Sequence, residues 1–248
     1  MNEPASRKMK KYVLIPDLHA PFEDKYALGA ALEYTAFYHP DAIIQLGDAG
    51  HFESVSHWIK DKRLKLEGLR IEKDIKATIR VLDLISSAAP KAERVITLGN
   101  HEKWVNSYIE EHPEIEGLLD LNREYHNAGW KVVDINKPYQ IGKLLTFHGL
   151  FISKYHAYQT VHAFSKSCAY AHTHDRQEYT ESFYDGEKSA QSLGCLCHDN
   201  PDYLKNRPNK WSNGMATVDV DSVNGDFFID SIKIVRGRFS RNGRIFKG

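Results

Sequence analysis

The stretch ITLGNHEKW, residues 96–104, begins like a buried strand and then breaks into polar or flexible residues, which are Gly99, Asn100, His101 and Glu102. Taken alone it is typical of a turn followed by a capped helix, because Gly-Asn is a common turn dipeptide and the residues that follow have a helical pattern. The same residue types also bind ligands where a strand leaves a sheet. The remainder of the chain decides between these interpretations.

Strand-like apolar runs alternate with helical patterns through the first hundred residues, as in chains that build βαβ units. The strand candidates are YVLIP (12–16), AIIQL (42–46) and RVITL (94–98). A helix is predicted from Lys25 to Phe37 with Asp24 as its N-cap, and a second helical stripe lies within residues 51–89. This half of the chain predicts an α/β fold with a partly parallel sheet.

The second half changes character. Its strand candidates are KVVDI (131–135), KLLTF (143–147), KSCAYA (166–171), RQEYTESF (176–183), MATVDVD (215–221) and DFFIDSIKIV (226–235). The last four runs are separated by Gly, Asn and Asp and are typical of hairpins. No linker rich in Pro, Gly or Ser divides the chain, so we expect a flexible basic tail over residues 1–11 and a single domain over residues 12–248.

The charge balance argues against a protein that binds nucleic acid through a large net positive charge, because Lys plus Arg and Asp plus Glu both number 33. The stretch from Lys233 to the C-terminus holds six basic residues and no acid, and we expect it to be solvated and partly frayed. The sequence shows no signal peptide and no apolar run long enough to cross a membrane. We therefore expect a cytoplasmic protein with no membrane partner.

The three cysteines, Cys168, Cys195 and Cys197, are an odd number and cannot close a disulfide framework. The CLCH motif at 195–198 suggests zinc, but structural zinc sites usually need a second such pair, and the chain has none. We therefore expect metal binding that does not depend on Cys195 or Cys197.

Five strand candidates are each followed by residue types that bind metal ions. These residues are Asp17 and His19, then Asp48, then Asn100 and His101, then His148, and finally His172 and His174. In open α/β sheets ligands bind in the crevice outside the carboxyl ends of the strands, so these side chains are expected to converge. The two pairs spaced by two positions would each point to one side of an extended chain and serve one site.

The ligand types indicate which metals suit the site. Imidazole, carboxylate and carboxamide groups without thiolate favour Mn, Fe(II) or Zn over a cysteine-type structural zinc site. Without His101 the residues named above are seven, which are too many for one tetrahedral ion and suit two ions that share a bridging carboxylate. We expect two divalent metal ions, with Mn as the first expectation and Fe, Zn or Ni as alternatives.

The motifs DLH, GD, GNHE, HG and AHTH, in this order from Asp17 to His174, resemble the five signature blocks of the calcineurin-like metallophosphoesterases, in particular their short phage-type and bacterial members. The resemblance implies two packed mixed β-sheets flanked by helices, a four-layer sandwich. It also implies hydrolysis of a phosphodiester or phosphomonoester by in-line attack of a hydroxide that bridges two metal ions. Nucleic acid or nucleotide is the expected substrate class.

The resemblance also implies roles for single residues. Asp17, His19, Asp48 and His174 would hold one metal ion, and Asp48, Asn100, His148 and His172 the other, with Asp48 as the bridge. His101 would face the substrate and protonate the departing oxygen. His51 is a weaker candidate for substrate contact.

Two features depart from the family pattern. Ala171 replaces the glycine that usually precedes the last histidine pair, and its methyl group predicts a small shift of His172. Many members carry a second acid soon after the GD motif, and here either Glu53 or Glu102 is expected to orient the site. The alternative function is a non-catalytic scaffold of this fold that binds protein partners; missing ligands would indicate it, and the chain retains all of them.

Overall fold

The computed structural model describes residues 9–135, 137–198 and 208–248. The helices are α1 (Lys25–Tyr38), α2 (Arg63–Leu66), α3 (Ile71–Ala88), α4 (Asn100–Glu111), α5 (Leu121–Asn127) and α6 (His156–Phe164). The strands are β1 (Met9–Ile15), β2 (Ala42–Gln45), β3 (Glu93–Thr97), β4 (Lys131–Val133), β5 (Tyr139–Ile141), β6 (Leu144–Phe147), β7 (Cys168–Tyr170), β8 (Arg176–Phe183), β9 (Gly186–Leu193), β10 (Gly214–Asp221), β11 (Phe227–Lys233), β12 (Arg238–Arg241) and β13 (Arg244–Lys247). No helix in these ranges is both long and apolar enough to cross a membrane.

Two mixed sheets form the centre of the molecule. The larger has the order β11-β10-β1-β2-β3-β4, in which β1 to β4 run parallel and β10 pairs antiparallel with β1. The second has the order β5-β6-β7-β9-β8, in which β6, β7 and β9 run parallel. Buried apolar side chains from both sheets form one cluster, which includes Leu14, Ile44 and Val95 with Leu144 and Leu193. The sheets therefore pack face to face.

Helices cover the outer faces of this pair of sheets. Helices α1 and α3 contribute Leu28 and Leu82 to the apolar cluster that contains Ile43 of the larger sheet. Helix α6 contributes Ala157 and Val161 to the cluster on the second sheet. The predicted fold class, two packed mixed β-sheets flanked by helices, is confirmed.

Helix α1 begins and ends where the sequence predicts. The Asp24 side chain accepts the backbone N–H groups of Tyr26 and Ala27 at 3.0 Å each and so caps the free donors of the first turn. At the other end His39 adopts a left-handed backbone, with φ of 53°, and Pro40 follows. The helix is thus held between a side-chain cap and a proline that cannot continue it.

The N-terminal boundary differs from the expectation. Residues 9–11 of the expected tail belong to β1, which pairs with β10 from Met9 to Leu14. The Lys11 backbone N–H also donates to Asp41 Oδ2 at 2.8 Å. The partner strand lies at the far end of the chain, so the local pattern of basic residues did not indicate it. Residues 1–8 lie outside the described residues.

The predicted hairpins are partly correct. Strands β8 and β9 form one hairpin, and β10 and β11 form another. The KSCAYA stretch is not a hairpin strand, because β7 pairs in parallel with both β6 and β9. Parallel neighbours need a crossover connection, which α6 provides between β6 and β7.

The basic C-terminus is folded, and the expectation of a frayed end is wrong. Strands β12 and β13 form a hairpin whose Phe239 and Phe246 are buried against Tyr34 of α1, with ring centroids 5.4 and 4.8 Å from the tyrosine ring. The Arg244 guanidinium donates to Glu33 Oε1 at 2.7 Å. Aromatic burial holds the segment, and the basic residues form its solvated face.

Candidate metal centre

Side chains that follow β1, β2 and β3 of the larger sheet meet side chains that follow β6 and β7 of the second sheet. The residues brought together are those predicted from the sequence, namely Asp17, His19, Asp48, Asn100, His148, His172 and His174. The carboxylates and most of the imidazoles are buried. Polar side chains of this kind are seldom buried unless they are paired or bind a ligand.

The backbone around the site is unusual. Four of these residues lie in the left-handed region of the backbone map, namely His19 at φ 50°, Asp48 at 51°, His172 at 74° and His174 at 59°. Residues other than glycine rarely adopt this backbone conformation, and the residues that do adopt it cluster at functional sites. The turns therefore hold the side chains inward at a local conformational cost.

The first group of donors surrounds His19. Its Nε2 atom lies 3.0 Å from Nε2 of His174 and 3.7 Å from Oδ2 of Asp48. His174 Nε2 also lies 3.3 Å from Oδ2 of Asp17. Two imidazole nitrogens and two carboxylates thus converge within the reach of one ion, as the family resemblance implies for these four residues.

The second group surrounds His148. Its Nε2 atom lies 3.0 Å from Asn100 Oδ1, 3.1 Å from His172 Nδ1 and 3.3 Å from Asp48 Oδ2. His148 Nδ1 lies 2.9 Å from the carbonyl oxygen of Leu46, which can only accept, so Nδ1 carries a hydrogen and Nε2 is the atom that can bind a metal ion once it has lost its own proton. Asp48 Oδ2 belongs to both groups.

Burial and neighbouring charge set the protonation of the site. Burial lowers the pKa of His174 to about 3 and that of His172 to about 4, which keeps both rings neutral. Burial also lowers the pKa of His148, but the carboxylates of Asp48 and Asp17 outweigh it and raise the value to about 10. The buried carboxylates thus favour a positive charge between them, which a proton or a metal ion can supply.

Glu102 orients the loop that carries Asp48. Its carboxylate accepts the backbone N–H groups of Ala49 and Gly99 at 2.9 Å each, and the hydroxyl of Tyr125 donates to it at 3.2 Å. Gly99 is needed here, because a Cβ atom would lie only 2.1 Å from Asp48 Oδ1. Glu53 lies instead 3.9 Å from His51 Nε2. Of the two acids that the sequence left open, Glu102 therefore has the orienting contacts.

His101 lies beside the two groups of donors. Its backbone N–H donates to Asp48 Oδ1 at 2.9 Å, and its Nδ1 lies 2.5 Å from the carbonyl oxygen of His51. That carbonyl accepts the Nδ1 hydrogen, so Nε2 is the ring nitrogen that is available to a substrate. Nε2 lies 3.9 Å from Asp48 Oδ2. The ring of Trp104 packs against the imidazole with centroids 3.8 Å apart.

His51 is held near the same place, with its Nδ1 atom 3.4 Å from Nδ1 of His19. Burial lowers the pKa of His51 to about 4, with the neighbouring His101 adding to the effect. The ring is therefore neutral at neutral pH. Its contact with substrate remains a prediction.

The substitution of Ala171 for glycine is accommodated. Ala171 is fully buried, and its N–H donates to the carbonyl oxygen of His148 at 2.7 Å. The neighbouring His172 still reaches His148. The methyl group therefore does not remove His172 from the site.

The structure also brings one residue into the centre that sequence spacing did not single out. The ligand atoms of His19, His174 and Cys197 lie within 4.8 Å of one another, and all three residues are buried. The CLCH motif was the available signal. A cysteine-type zinc site would need a second cysteine pair, which the chain lacks. The partners of Cys197 are instead histidines from distant loops.

The chain is similar to phage proteins along nearly its whole length. It is 25% identical over 262 residues to the Gene 54 protein of Mycobacterium phage L5, with 96% of this chain and 99% of that protein covered. It is 24% identical over 269 residues to the Gene 54 protein of Mycobacterium phage D29, with the same coverage. No protein-family model matches the chain.

Among solved structures the chain is similar to vacuolar protein sorting 29 from Cryptosporidium parvum, with a TM-score of 0.46, 11% identity and coverage of 97% and 96% of the two chains. Vps29 of Chaetomium thermophilum follows with a TM-score of 0.45, 8% identity and coverage of 91% and 97%. TT1561 of Thermus thermophilus has a TM-score of 0.38, 10% identity and coverage of 90% and 99%. All three TM-scores are below 0.5. The fold class therefore rests on the sheet order and packing described above and not on these structures.

Proposed function

We propose that this protein is a metallophosphoesterase that hydrolyses a phosphoester with two divalent metal ions. The observation that carries the proposal is the position of Asp48 Oδ2, which lies 3.7 Å from His19 Nε2 in one group of donors and 3.3 Å from His148 Nε2 in the other. A single carboxylate between two sets of nitrogen and oxygen donors is the arrangement that a bridged pair of ions requires.

The donor set fits metal ions. Asp17 Oδ1 is fully buried and has no hydrogen-bond partner among the described residues. His148 Nδ1, 3.4 Å from that oxygen, donates its hydrogen to Leu46 instead. The ligand atoms of Asp17, His19 and Asp48 lie within 4.8 Å of one another, so a cation among them would offset the charge of the two buried carboxylates. Mn remains the first expectation, with Fe, Zn or Ni as alternatives.

Bound divalent ions would supply a nucleophile at neutral pH, by lowering the pKa of water, and would neutralise charge on the phosphoryl oxygens. His101 would donate a proton to the departing oxygen. Since its Nδ1 hydrogen is held by the His51 carbonyl, donation from Nε2 requires the imidazolium form. Burial lowers the pKa of His101 in the free protein, and a phosphoryl anion beside the ring would raise it.

The surroundings of His101 favour a nucleotide or nucleic-acid substrate. A cleft of about 280 Å³ lies next to it, lined by Trp104, His57 and Tyr108 together with Lys60. Aromatic side chains stack on bases. Lys60 is paired with Glu111 of the same cleft at 3.8 Å, so the aromatic rings support this proposal and a net positive charge does not. We therefore propose that the cleft receives a base or sugar adjoining the scissile phosphate.

The test is hydrolysis by the purified protein after metal removal and reloading with Mn, Ni, Zn or Mg. The substrates are p-nitrophenyl phosphate, bis-p-nitrophenyl phosphate, cyclic nucleotides, and single- and double-stranded DNA and RNA. We expect turnover that depends on metal and is abolished in Asp48→Asn. Absence of turnover with every substrate, in protein shown to hold two ions, would contradict the proposal and favour the scaffold.

A further inference from the structure

The group formed by His19, His174 and Cys197 contains a thiol that the proposed mechanism does not use. Cys197 is 3% exposed, and its backbone is fixed by pairing with Glu23 and by the Asn213 side-chain amide, which donates to the Cys197 carbonyl at 2.9 Å. The backbone of Cys197 is therefore held in place, and its thiol lies in the interior and not on the surface.

Independent features of the same place indicate a cation. The buried Asp17 carboxylate lies beside the two rings, with its Oδ2 3.3 Å from His174 Nε2, and its Oδ1 lacks a hydrogen-bond partner among the described residues. The Nε2 atoms of His19 and His174 face each other at 3.0 Å. At least one of these nitrogens must present a lone pair to the other. A positive ion would satisfy both rings and the carboxylate together.

We propose that the Cys197 thiolate is an additional ligand of the ion held by Asp17, His19, Asp48 and His174. This inference rests on the metal centre of the proposed function. When the ion binds, the S–H bond breaks, the proton leaves to solvent and a sulfur–metal bond forms, without oxidation or reduction. The ligands are Asp17, His19, Asp48, His174 and Cys197.

The sulfur makes the two positions chemically different. In the part of the chain that the structure describes, the position around His148 has nitrogen and oxygen donors alone, from Asp48, Asn100, His148 and His172. Thiolate favours zinc and iron, whereas carboxylate and amide donors accept manganese or magnesium. The centre is thus built to hold a thiophilic ion at the Cys197 position and a harder ion at the other.

The other cysteines supply matched controls. Cys195 Sγ lies 3.8 Å from the carbonyl oxygen of Cys197, whereas Cys168 belongs to β7 and its Sγ lies 3.3 Å from the carbonyl oxygen of Lys166. Cys168 is buried like Cys197, and the conversion of either to serine changes one atom. Any effect confined to Cys197→Ser therefore reports on the metal and not on burial of a polar group.

The experiment loads the metal-free full-length protein with Co(II) and records its absorption spectrum. We expect a sulfur-to-cobalt charge-transfer band in the near ultraviolet for the unchanged protein and for Cys168→Ser, and its loss in Cys197→Ser. Cobalt bound without this band, or a band that persists in a folded Cys197→Ser protein, would overturn the role of Cys197 and leave the metal centre intact. Failure to bind any cobalt would overturn the metal centre and the proposed function together.

A second measurement needs no variant. X-ray absorption of the zinc-loaded unchanged protein should show a sulfur neighbour at about 2.3 Å beside nitrogen and oxygen neighbours at about 2.0–2.2 Å. A shell of nitrogen and oxygen alone would contradict the inference. In competition titrations, Cys197→Ser should reduce the preference for zinc over manganese by roughly tenfold or more, and an unchanged preference would contradict it as well.

Discussion

The side-chain carboxylate of Glu102 accepts the backbone N–H of Asp48 at 2.9 Å, across 54 positions of sequence. Asp48 provides the oxygen common to both groups of donors, so the first turn of α4 fixes the centre of the site. In Glu102→Gln the amide NH₂ faces N–H groups that need an acceptor. We expect a loss of about 1–3 kcal/mol in the free energy of unfolding. We also expect metal affinity to fall about 10- to 100-fold.

Denaturant unfolding and calorimetric metal titration measure these two effects. The control is Glu53→Gln, since the Glu53 side chain is 36% exposed and its carboxylate lies 3.9 Å from His51 Nε2. Unchanged metal affinity in Glu102→Gln would show that the loop holds Asp48 in place without this carboxylate.

Asp48→Asn should lower the number of tightly held ions from two to fewer than two. An amide oxygen is a weaker ligand than a carboxylate and carries no charge to offset a pair of cations. Elemental analysis after dialysis measures the stoichiometry, with Asp83→Asn on the exposed face of α3 as the control. Two tightly held ions in Asp48→Asn would refute the bridging role.

His101→Asn should retain both ions and lose about 10²- to 10⁴-fold in rate, because it removes a proton donor. The loss should be smaller for a p-nitrophenolate leaving group, which departs without protonation, than for a nucleoside alkoxide. Steady-state rates with both substrates test this, with His39→Asn, at an exposed histidine of the α1 C-terminus, as the control. Equal losses would assign His101 to electrostatic support of the phosphoryl group, and loss of an ion would mean that it is a ligand.

Tyr108→Ala should weaken hydrolysis of nucleotide or single-stranded substrates while leaving p-nitrophenyl phosphate unaffected. Loss of one stacking platform costs about 1–3 kcal/mol per base, which corresponds to about 5- to 150-fold in kcat/KM. The matched control is Tyr184→Ala, at a fully exposed tyrosine. A uniform effect on all substrates would indicate that the cleft shapes the site without binding a base.

Removal of metal should destabilise the fold. Ions that bind only the native state add about 2.7 kcal/mol at a free concentration 100 times the Kd, so a chelator should lower Tm and readdition of metal should restore it. Thermal unfolding with and without chelator measures the shift. The shift should be much smaller in Asp48→Asn, and an equal shift there would mean that the stabilising ions bind elsewhere.

Much of the site could be predicted from the sequence because each ligand comes within four residues of the end of a strand. A strand is recognised by its own apolar run, as in YVLIP before Asp17, and the carboxyl ends of parallel strands must meet. Cys197 could not be predicted in this way. It follows no recognisable strand, and it reaches His19 through bridges to segments that only the folded chain brings together.

The strands themselves were predicted where one pattern holds along their length. Strand β9 was missed because its first half is polar and solvated, and only its last four residues are buried. The start of β1 was missed for a different reason. Met9 belongs to the strand because it pairs antiparallel with Asp221, and a short stretch of sequence around Met9 does not contain that partner.

That pairing of Met9 with Asp221 has a consequence for synthesis of the chain. Strand β1 lies in the interior of the larger sheet, and its antiparallel neighbour β10 leaves the ribosome only after most of the protein has been made. Until then β1 presents an unpaired edge, which is the kind of surface through which nascent chains associate. Because a contact between such distant segments closes slowly, we expect chains released before residue 214 to aggregate and complete chains to become resistant to protease only after release.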